Sequence, residues 1–198
     1  MSPEPPVTAA DAPKAATTPI PQMTRTIALV GLMGVGKSTV GRRLANRLGL
    51  PFVDGDEAIE GAARMSVSEI FAQLGEAEFR AGEARVMRRL LEGPAIVLAT
   101  GGGAVLNPET RQMLKSRATT VWLRADLKVV ASRVQRRDTR PLLRGKDPLQ
   151  ALTAMAEVRY PVYATADLTV DVGAGAHAQA VEAILEALTA FWKNGAPA

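Results

Sequence analysis

An octapeptide in the first quarter of the chain has the residue types and spacing of a phosphate-binding loop. Residues 31–38 read Gly-Leu-Met-Gly-Val-Gly-Lys-Ser, and they lie between a predicted strand and a predicted helix. Glycines let successive backbone N–H groups point at one anion, and the N-terminal end of the following helix adds positive partial charge. Lys37 would then contact the β- and γ-phosphates of a nucleoside triphosphate, and Ser38 would ligate the Mg²⁺ that neutralises them. The alternative is a glycine-rich turn with an exposed lysine.

A pair of carboxylates forms a second candidate group. Asp54-Gly55-Asp56 follows a predicted strand, so both carboxylates lie where open α/β sheets bind their ligands. One carboxylate can hold magnesium through water, while the other accepts the proton of an attacking hydroxyl, as phosphoryl transfer requires. Alternatively, Asp56 is the N-cap of a helix that begins near Glu57. These residues alone leave both interpretations open.

An arginine and a run of glycines complete the candidate chemistry. Arg80 has Glu76 and Glu83 within one helical turn. These carboxylates form either a surface ion-pair ladder or a clamp that holds the guanidinium for a substrate carboxylate. Gly101–Gly103 form either a flexible turn or a segment whose N–H groups approach a ligand closely. Thr100 is a further candidate for the magnesium shell.

The elements that must position these residues alternate between strand and helix. This alternation predicts a parallel sheet of five strands covered by helices on both faces, a three-layer α/β/α fold. The predicted strands are 26–30, 51–53, 95–99, 119–123 and 168–172. The predicted helices include 37–48, 75–92, 126–134 and 177–192, one after Pro108, one that ends near Tyr160, and a short helix with a capping box at Ser66 and Glu69.

Composition excludes several classes of site. The 198 residues include no cysteine and a single histidine, His177, so disulfides, cysteine-ligated metals and multi-histidine metal sites are excluded. No apolar run approaches the ~20 residues that span a bilayer. We therefore expect a cytoplasmic protein with no membrane partner.

A proline-rich segment and a basic segment suggest a leader and a lid. Residues 1–22 hold six of the 13 prolines and show no hydrophobic periodicity, which predicts a disordered leader before a single domain at 23–198. Residues 133–147 carry six cationic and two anionic side chains, a surplus equal to the net charge of +4 of the whole chain. Residues 136–148, which overlap this segment, are predicted to form a mobile lid. A nucleic-acid-binding module would need base-stacking aromatic residues there, and the segment has none.

Taken together, these residues resemble the shikimate kinases. The resemblance runs from Ile27 to about Tyr163, and its motifs occur in the family's order. They are the phosphate-binding loop 31–38, Phe52-Val53-Asp54-Gly55-Asp56, Phe79-Arg80 with Glu83, Gly101–Gly103, Arg140-Pro141-Leu142-Leu143, and Arg159-Tyr160-Pro161-Val162-Tyr163.

The resemblance implies a fold like that of the nucleoside monophosphate kinases and an activity. It implies ATP-dependent phosphorylation of the shikimate 3-hydroxyl, a step toward chorismate and the aromatic amino acids, with one Mg²⁺. We expect a monomer, since a single domain that closes over its own substrates needs no partner subunit, and the lack of aromatic residues in 133–147 leads us to expect no nucleic-acid partner. The implied catalytic residues are Asp56, Lys37 and Arg140. The implied ATP-binding residues are Gly34, Val35, Gly36, Lys37, Ser38, Thr39, Arg133 and Arg140, and the implied metal-binding residues are Ser38 and, through water, Asp54. The implied shikimate-binding residues are Asp56, Phe71, Phe79, Arg80, Gly101, Gly102, Gly103 and Arg159.

Other small-molecule kinases are the nearest alternatives. Gluconate and adenylylsulfate kinases can also carry Asp-Gly-Asp after the second strand, so that motif does not discriminate. The Gly101–Gly103 turn, the Arg140-Pro141 lid and Arg159 favour shikimate, although Arg159 beside Glu157 would also suit a helix-end cation. One departure from the family pattern is the loop 173–176, Gly-Ala-Gly-Ala, where relatives often carry basic residues. Because of this departure, the resemblance does not imply a side-chain contact between that loop and adenine.

Overall fold

A five-stranded parallel sheet forms the centre of the molecule, as predicted. The computed structural model describes residues 24–135, 147–173, 175 and 177–195. The strands lie in the order β2-β3-β1-β4-β5, and all four neighbouring pairs are parallel. They are β1 (Thr26–Val30), β2 (Phe52–Asp54), β3 (Val97–Ala99), β4 (Ala118–Arg124) and β5 (Leu168–Asp171).

Helices cover both faces of this sheet. They are α1 (Lys37–Leu48), α2 (Gly55–Ala63), α3 (Val67–Gln73), α4 (Gly75–Glu92), α5 (Pro108–Arg117), α6 (Leu127–Gln135), α7 (Pro148–Tyr163) and α8 (His177–Lys193). A short 3₁₀ helix spans Ala104–Leu106. The predicted capping box is present, because Ser66 accepts from the Glu69 N–H while the Glu69 carboxylate accepts from the Ser66 N–H. No helix in the described parts of the chain has the length and apolar character needed to span a bilayer.

The core consists of two layers separated by the sheet. Alternate residues of β1 enter opposite layers, Ile27 and Leu29 on one side and Ala28 and Val30 on the other, because strand side chains have a period of two. All five residues of β1 are buried, which explains why this central strand is a continuous run with little polarity. A smaller cluster of Ile59, Ile70, Phe79 and Val86 joins α2, α3 and α4 beside the sheet.

Small differences from the predicted boundaries have local causes. Strand β2 runs to Asp54 rather than ending at Val53, since Asp54 still pairs with Ala99 of β3. Helix α7 continues to Tyr163, past the predicted end near Tyr160, because Pro161 falls in the last turn and forfeits only one backbone hydrogen bond there. The predicted leader and residues 136–146 of the predicted lid lie outside the described residues.

Candidate active site

The phosphate-binding loop connects β1 to α1, which is the predicted strand–loop–helix arrangement. Gly31, Gly34 and Gly36 have φ angles of 141°, 79° and 104°, which L side chains rarely adopt. Gly36 is also the N-cap residue of α1, so the loop leads directly into the positive end of this helix. The buried Lys37 Nζ donates to the carbonyl oxygens of Gly31 (2.8 Å) and Leu32 (2.9 Å). The lysine is therefore part of the loop rather than an exposed side chain.

Ser38 and Asp54 meet at the base of this loop. The Ser38 hydroxyl donates to Asp54 Oδ2 at 2.5 Å, and Asp54 Oδ1 accepts from the backbone N–H of Asp56 at 3.0 Å. Asp54 is thus the N-cap residue of α2, and the alternative interpretation of Asp56 as an N-cap is wrong because β2 extends one residue further than predicted. Asp56 lies in the first turn of α2, so its carboxylate is not the cap.

The same pair of residues has the donor chemistry of a magnesium site. A hydroxyl and a carboxylate are hard oxygen ligands, and Mg²⁺ in proteins takes one or two carboxylates and completes its shell with water and substrate phosphates. The described residues contain no group of three or more His, Cys, Asp or Glu suited to a metal. Thr100, the further candidate, is 2% exposed and donates its hydroxyl proton to the Leu29 carbonyl at 3.0 Å, within the sheet.

Beside the phosphate-binding loop lies a cavity of about 400 Å³ between the sheet edge and helices α2, α3, α4 and α7. It is lined by every residue that the resemblance implied for the acceptor side, namely Asp56, Phe71, Phe79, Arg80, Gly101, Gly102, Gly103 and Arg159. The rings of Phe71 and Phe79 are 4.6 Å apart between centroids and form an apolar wall. The cavity thus combines one apolar wall with two arginines and three carboxylates, those of Asp56, Glu60 and Glu83.

Two carboxylates hold Arg80 in one pose at this cavity. Its Nη1 donates to Glu83 at 2.8 Å, while its Nη2 and Nε donate to Glu76 at 3.1 and 3.3 Å. Glu83 is only 3% exposed, so this arrangement is not a surface ladder. Burial raises the pKa of Glu83, and Arg80 opposes that rise. For Arg80 itself, burial lowers the pKa, but the hydrogen bonds and charges of Glu83 and Glu76 outweigh burial and raise it.

The glycine turn after β3 lies against the charged side chains of Asp56, Arg80, Glu83 and Arg159. A Cβ at Gly101 would lie 2.8 Å from Glu83 Oε1 and 2.9 Å from Asp56 Oδ1. A Cβ at Gly102 would lie 3.2 Å from Arg159 Nη1. The turn is therefore a close-approach segment rather than a flexible linker.

Arg159 projects from α7 toward the same turn. The residue is 9% exposed, which does not suit the alternative of a solvated helix-end cation near Glu157. The cavity is therefore lined by a second guanidinium, which comes from a different helix than Arg80. Two forks of this kind can bind one carboxylate from two directions.

A second cavity, of about 230 Å³, lies on the other side of the phosphate-binding loop. Val35, Gly173 and His177 line it together with Arg133, whose Nη2 donates to the Gly173 carbonyl at 3.0 Å. The imidazole of His177 would be 3.6 Å from a Cβ at Gly36. Arg140, the predicted lid residue, lies outside the described residues.

Known proteins with similar sequences indicate the family to which this chain belongs. The family model for shikimate kinase matches residues 33–189. The chain belongs to the shikimate kinase family. It is 60% identical over 168 residues to a shikimate kinase of Caulobacter vibrioides, which covers 85% of this chain and 84% of the relative. It is 56% identical over 147 residues to a shikimate kinase of Paramagnetospirillum magneticum, which covers 74% of this chain and 75% of the relative.

Solved structures agree with this assignment to the shikimate kinase family. The shikimate kinase from Acinetobacter baumannii in complex with shikimate superposes with a TM-score of 0.81 and 38% identity, over 84% of this chain and 94% of that one. A gluconokinase from Sinorhizobium meliloti superposes with a TM-score of 0.55 and 21% identity, over 87% of this chain and 95% of that one, and shares the fold alone. The predicted fold class is confirmed.

Some residues of the site were not predicted from the sequence. The acceptor cavity is also lined by Met33 from the phosphate-binding loop, Glu60 from α2, and residues 66–68 at the start of α3. The capping box at Ser66 gave a signal for a helix start, but nothing in that pattern pointed to a ligand. His177 begins a predicted helix, and its position beside Gly36 depends on how α8 packs on α1.

Proposed function

We propose that this chain transfers the γ-phosphoryl group of ATP to the 3-hydroxyl of shikimate, which gives shikimate 3-phosphate and ADP. The observation that carries this proposal is the cavity beside the phosphate-binding loop in which the Asp56 carboxylate and the guanidinium groups of Arg80 and Arg159 line one space. The relative that carries shikimate in its solved structure supports the same acceptor.

The chemistry of the acceptor matches the charges of the cavity. Shikimate is a cyclic polyol with one carboxylate, and a carboxylate is bound well by planar guanidinium forks. We assign the carboxylate to Arg80 and Arg159 and the hydroxyl groups to Asp56. Phe71 and Phe79 would pack against the ring, and the Gly101–Gly103 turn would approach it closely because these residues have no Cβ.

Transfer then needs a base on one side and positive charge on the other. In our proposal the oxygen of the 3-hydroxyl bonds to the γ-phosphorus while Asp56 accepts the proton of that hydroxyl. The bond from the γ-phosphorus to the bridging oxygen of ADP breaks. Lys37 and the N–H groups of residues 34–39 would stabilise the charge on the phosphate oxygens. Arg133 would lie against adenine. Arg140 would reach the transferring phosphoryl group from the lid and exclude water from it.

Ser38 and Asp54 are the residues that would hold the magnesium ion, Asp54 through water. When bound, the ion would supply positive charge that neutralises the β- and γ-phosphate oxygens. The hydrogen bond between the Ser38 hydroxyl and Asp54 keeps these two oxygen ligands together at the N-terminal end of α1. We also propose that the enzyme acts as a monomer, since a single domain that closes over its own substrates needs no partner subunit.

The experiment that tests this function measures ADP release with different acceptors. Shikimate, gluconate, AMP and adenylylsulfate are offered separately with ATP and magnesium, and we expect turnover with shikimate to exceed the others by at least about 10³-fold, as expected when buried charged groups lose their partners. Equal or faster turnover with gluconate would refute the proposal and indicate a sugar-acid kinase instead. No acceptor-dependent release from folded protein would refute kinase activity on this set.

A matched pair of arginine variants tests the assignment of the carboxylate. Arg159→Met removes the buried guanidinium, and we expect the KM for shikimate to rise about 10- to 100-fold, as for the loss of a hydrogen bond to a charged group. Arg88→Met removes an exposed arginine that pairs with Glu109 at 3.0 Å, and it should change neither KM nor kcat by more than about twofold. If both variants raise the KM equally, Arg159 does not bind the acceptor.

A further inference from the structure

Tyr163, the last residue of α7, is buried against the glycine turn. It is 1% exposed, and its ring lies 5.9 Å from that of Trp122 between centroids. Its hydroxyl donates to the carbonyl oxygen of Gly102 at 2.5 Å. A carbonyl oxygen only accepts, so the phenol proton must occupy this bond. One side chain of α7 is thus attached directly to the backbone of the acceptor site.

The same glycine is in contact with Arg159. Tyr163 and Arg159 are four residues apart on α7, so they lie on one face of the helix. A Cβ on Gly102 would be 3.2 Å from Arg159 Nη1, and also 3.5 Å from the carbonyl oxygen of Gly31 and the amide nitrogen of Met33. Gly102 therefore lies between the buried guanidinium and the start of the phosphate-binding loop.

The phenol keeps its proton over the pH range of enzyme assays. Burial raises the pKa of Tyr163 to about 12, although the positive charge of Arg159 acts in the opposite direction. The hydroxyl therefore stays a donor to Gly102, and the electron-rich side of its oxygen remains available to the nearby guanidinium. A phenylalanine would keep the ring packing and lose the hydroxyl, and with it the bond to Gly102 and the interaction with Arg159.

We propose that Tyr163 is a positioning residue for the acceptor site. Its hydroxyl fixes the Gly102 carbonyl, and the fixed turn keeps Arg159 in the pose that binds the carboxylate of the acceptor. The identity of that acceptor rests on the function proposed above, whereas the ordering of Arg159 by Tyr163 does not.

The kinetic test compares Tyr163→Phe with Tyr160→Phe. We expect Tyr163→Phe to raise the KM and Kd for shikimate about tenfold, a typical cost of losing one buried hydrogen bond, with kcat and the Kd for ATP within about twofold of wild type. Tyr160→Phe is the matched control, since Tyr160 lies on the same helix and its ring also packs on Trp122, at 5.0 Å between centroids. It should leave all four constants within about twofold.

A second measurement needs no substrate. The side-chain Nε–H signal of Arg159 is assigned by its loss in Arg159→Lys, and its ¹⁵N order parameter is compared in wild type and Tyr163→Phe. We expect a lower order parameter in Tyr163→Phe and no change in Tyr160→Phe. An unchanged order parameter, or an unchanged affinity for shikimate, would overturn the proposal. So would parallel losses of shikimate affinity, ATP affinity and melting temperature, which would make Tyr163 a structural residue only.

The two proposals fail in different ways. If the wild-type protein neither binds nor phosphorylates shikimate, the proposed function fails, and the order parameter of Arg159 alone decides the role of Tyr163. If the wild-type protein phosphorylates shikimate and Tyr163→Phe does so with the same KM, the function stands and the positioning role is refuted.

Discussion

Replacing Gly101 by alanine adds one methyl group at a crowded point of the acceptor site. The φ of Gly101 is not positive, so the backbone itself tolerates alanine. The new Cβ, however, would lie 2.8 Å from Glu83 Oε1 and 2.9 Å from Asp56 Oδ1. Both carboxylates must retreat by about half an ångström to reach the 3.4 Å at which ordinary contact begins.

The expected loss follows from that displacement. A misplacement of about 1 Å costs on the order of 10²-fold in rate, so half of that distance corresponds to about tenfold. Because Glu83 also holds Arg80, the KM for shikimate should rise as well, and we expect kcat/KM to fall about 10- to 100-fold. The Kd for ATP should stay within about twofold, since the methyl group points away from the phosphate-binding loop toward Asp56 and Glu83.

Steady-state kinetics with shikimate, calorimetric titration with ATP and thermal melting check this prediction. Gly61→Ala is the matched control, because Gly61 lies within α2 and a Cβ there would meet nothing within 4 Å. It should stabilise the protein by about 0.5–1 kcal/mol and leave the kinetics unchanged. The reasoning is refuted if Gly101→Ala retains kcat/KM within twofold of wild type, or if ATP affinity falls as much as shikimate affinity.

Three further changes test the electrostatics of the two cavities. Glu83→Gln should raise the KM for shikimate about tenfold, because Arg80 loses the 2.8 Å ion pair, whereas Glu76→Gln, at an exposed partner, should raise it less in the same assay. Burial raises the pKa of Glu83. The stability that this group contributes is therefore present below its ordinary pKa of 4.5 and is lost as pH rises through the raised pKa. In urea unfolding across pH, the unfolding free energy of the wild type should fall relative to that of Glu83→Gln as pH rises. Burial, with Arg133 and Arg43, lowers the pKa of His177, so its contribution is present above 6.5 and is lost as pH falls through the lowered pKa. The gap in unfolding free energy between wild type and His177→Gln should therefore close or reverse on acidification, and a gap independent of pH would contradict this assignment.

Local patterns predicted the strand, loop and helix that carry Lys37 and Ser38. The residues of the phosphate-binding loop are consecutive, so Lys37 and Ser38 follow from one motif and its flanking elements. Strand β1 and helix α1 begin and end as predicted because apolar runs and glycine turns are local signals. The parallel sheet follows from the alternation of strands and helices.

The acceptor side depends on packing that a sequence pattern does not contain. Whether Asp54 or Asp56 caps α2 was decided by one extra residue of pairing in β2. The sequence suits a solvated cation at Arg159 equally well, and its burial follows from the packing of α7 against Gly102. The burial of Glu83 depends on contacts with Arg80 and with the Gly101 turn. The bond from Tyr163 to Gly102 joins residues 61 positions apart, so no local spacing indicates it.

The most direct measurement of the central claim follows phosphoryl transfer in a single turnover by ³¹P NMR, in wild type and in Asp56→Asn. With ATP, magnesium and shikimate, we predict that the wild-type protein forms one phosphate monoester on the 3-oxygen of shikimate together with ADP. Asp56→Asn should form it about 10²- to 10⁴-fold more slowly, as for loss of a general base, with ATP affinity within about twofold of wild type. An ester on another oxygen, or an undiminished rate in Asp56→Asn, would contradict the account.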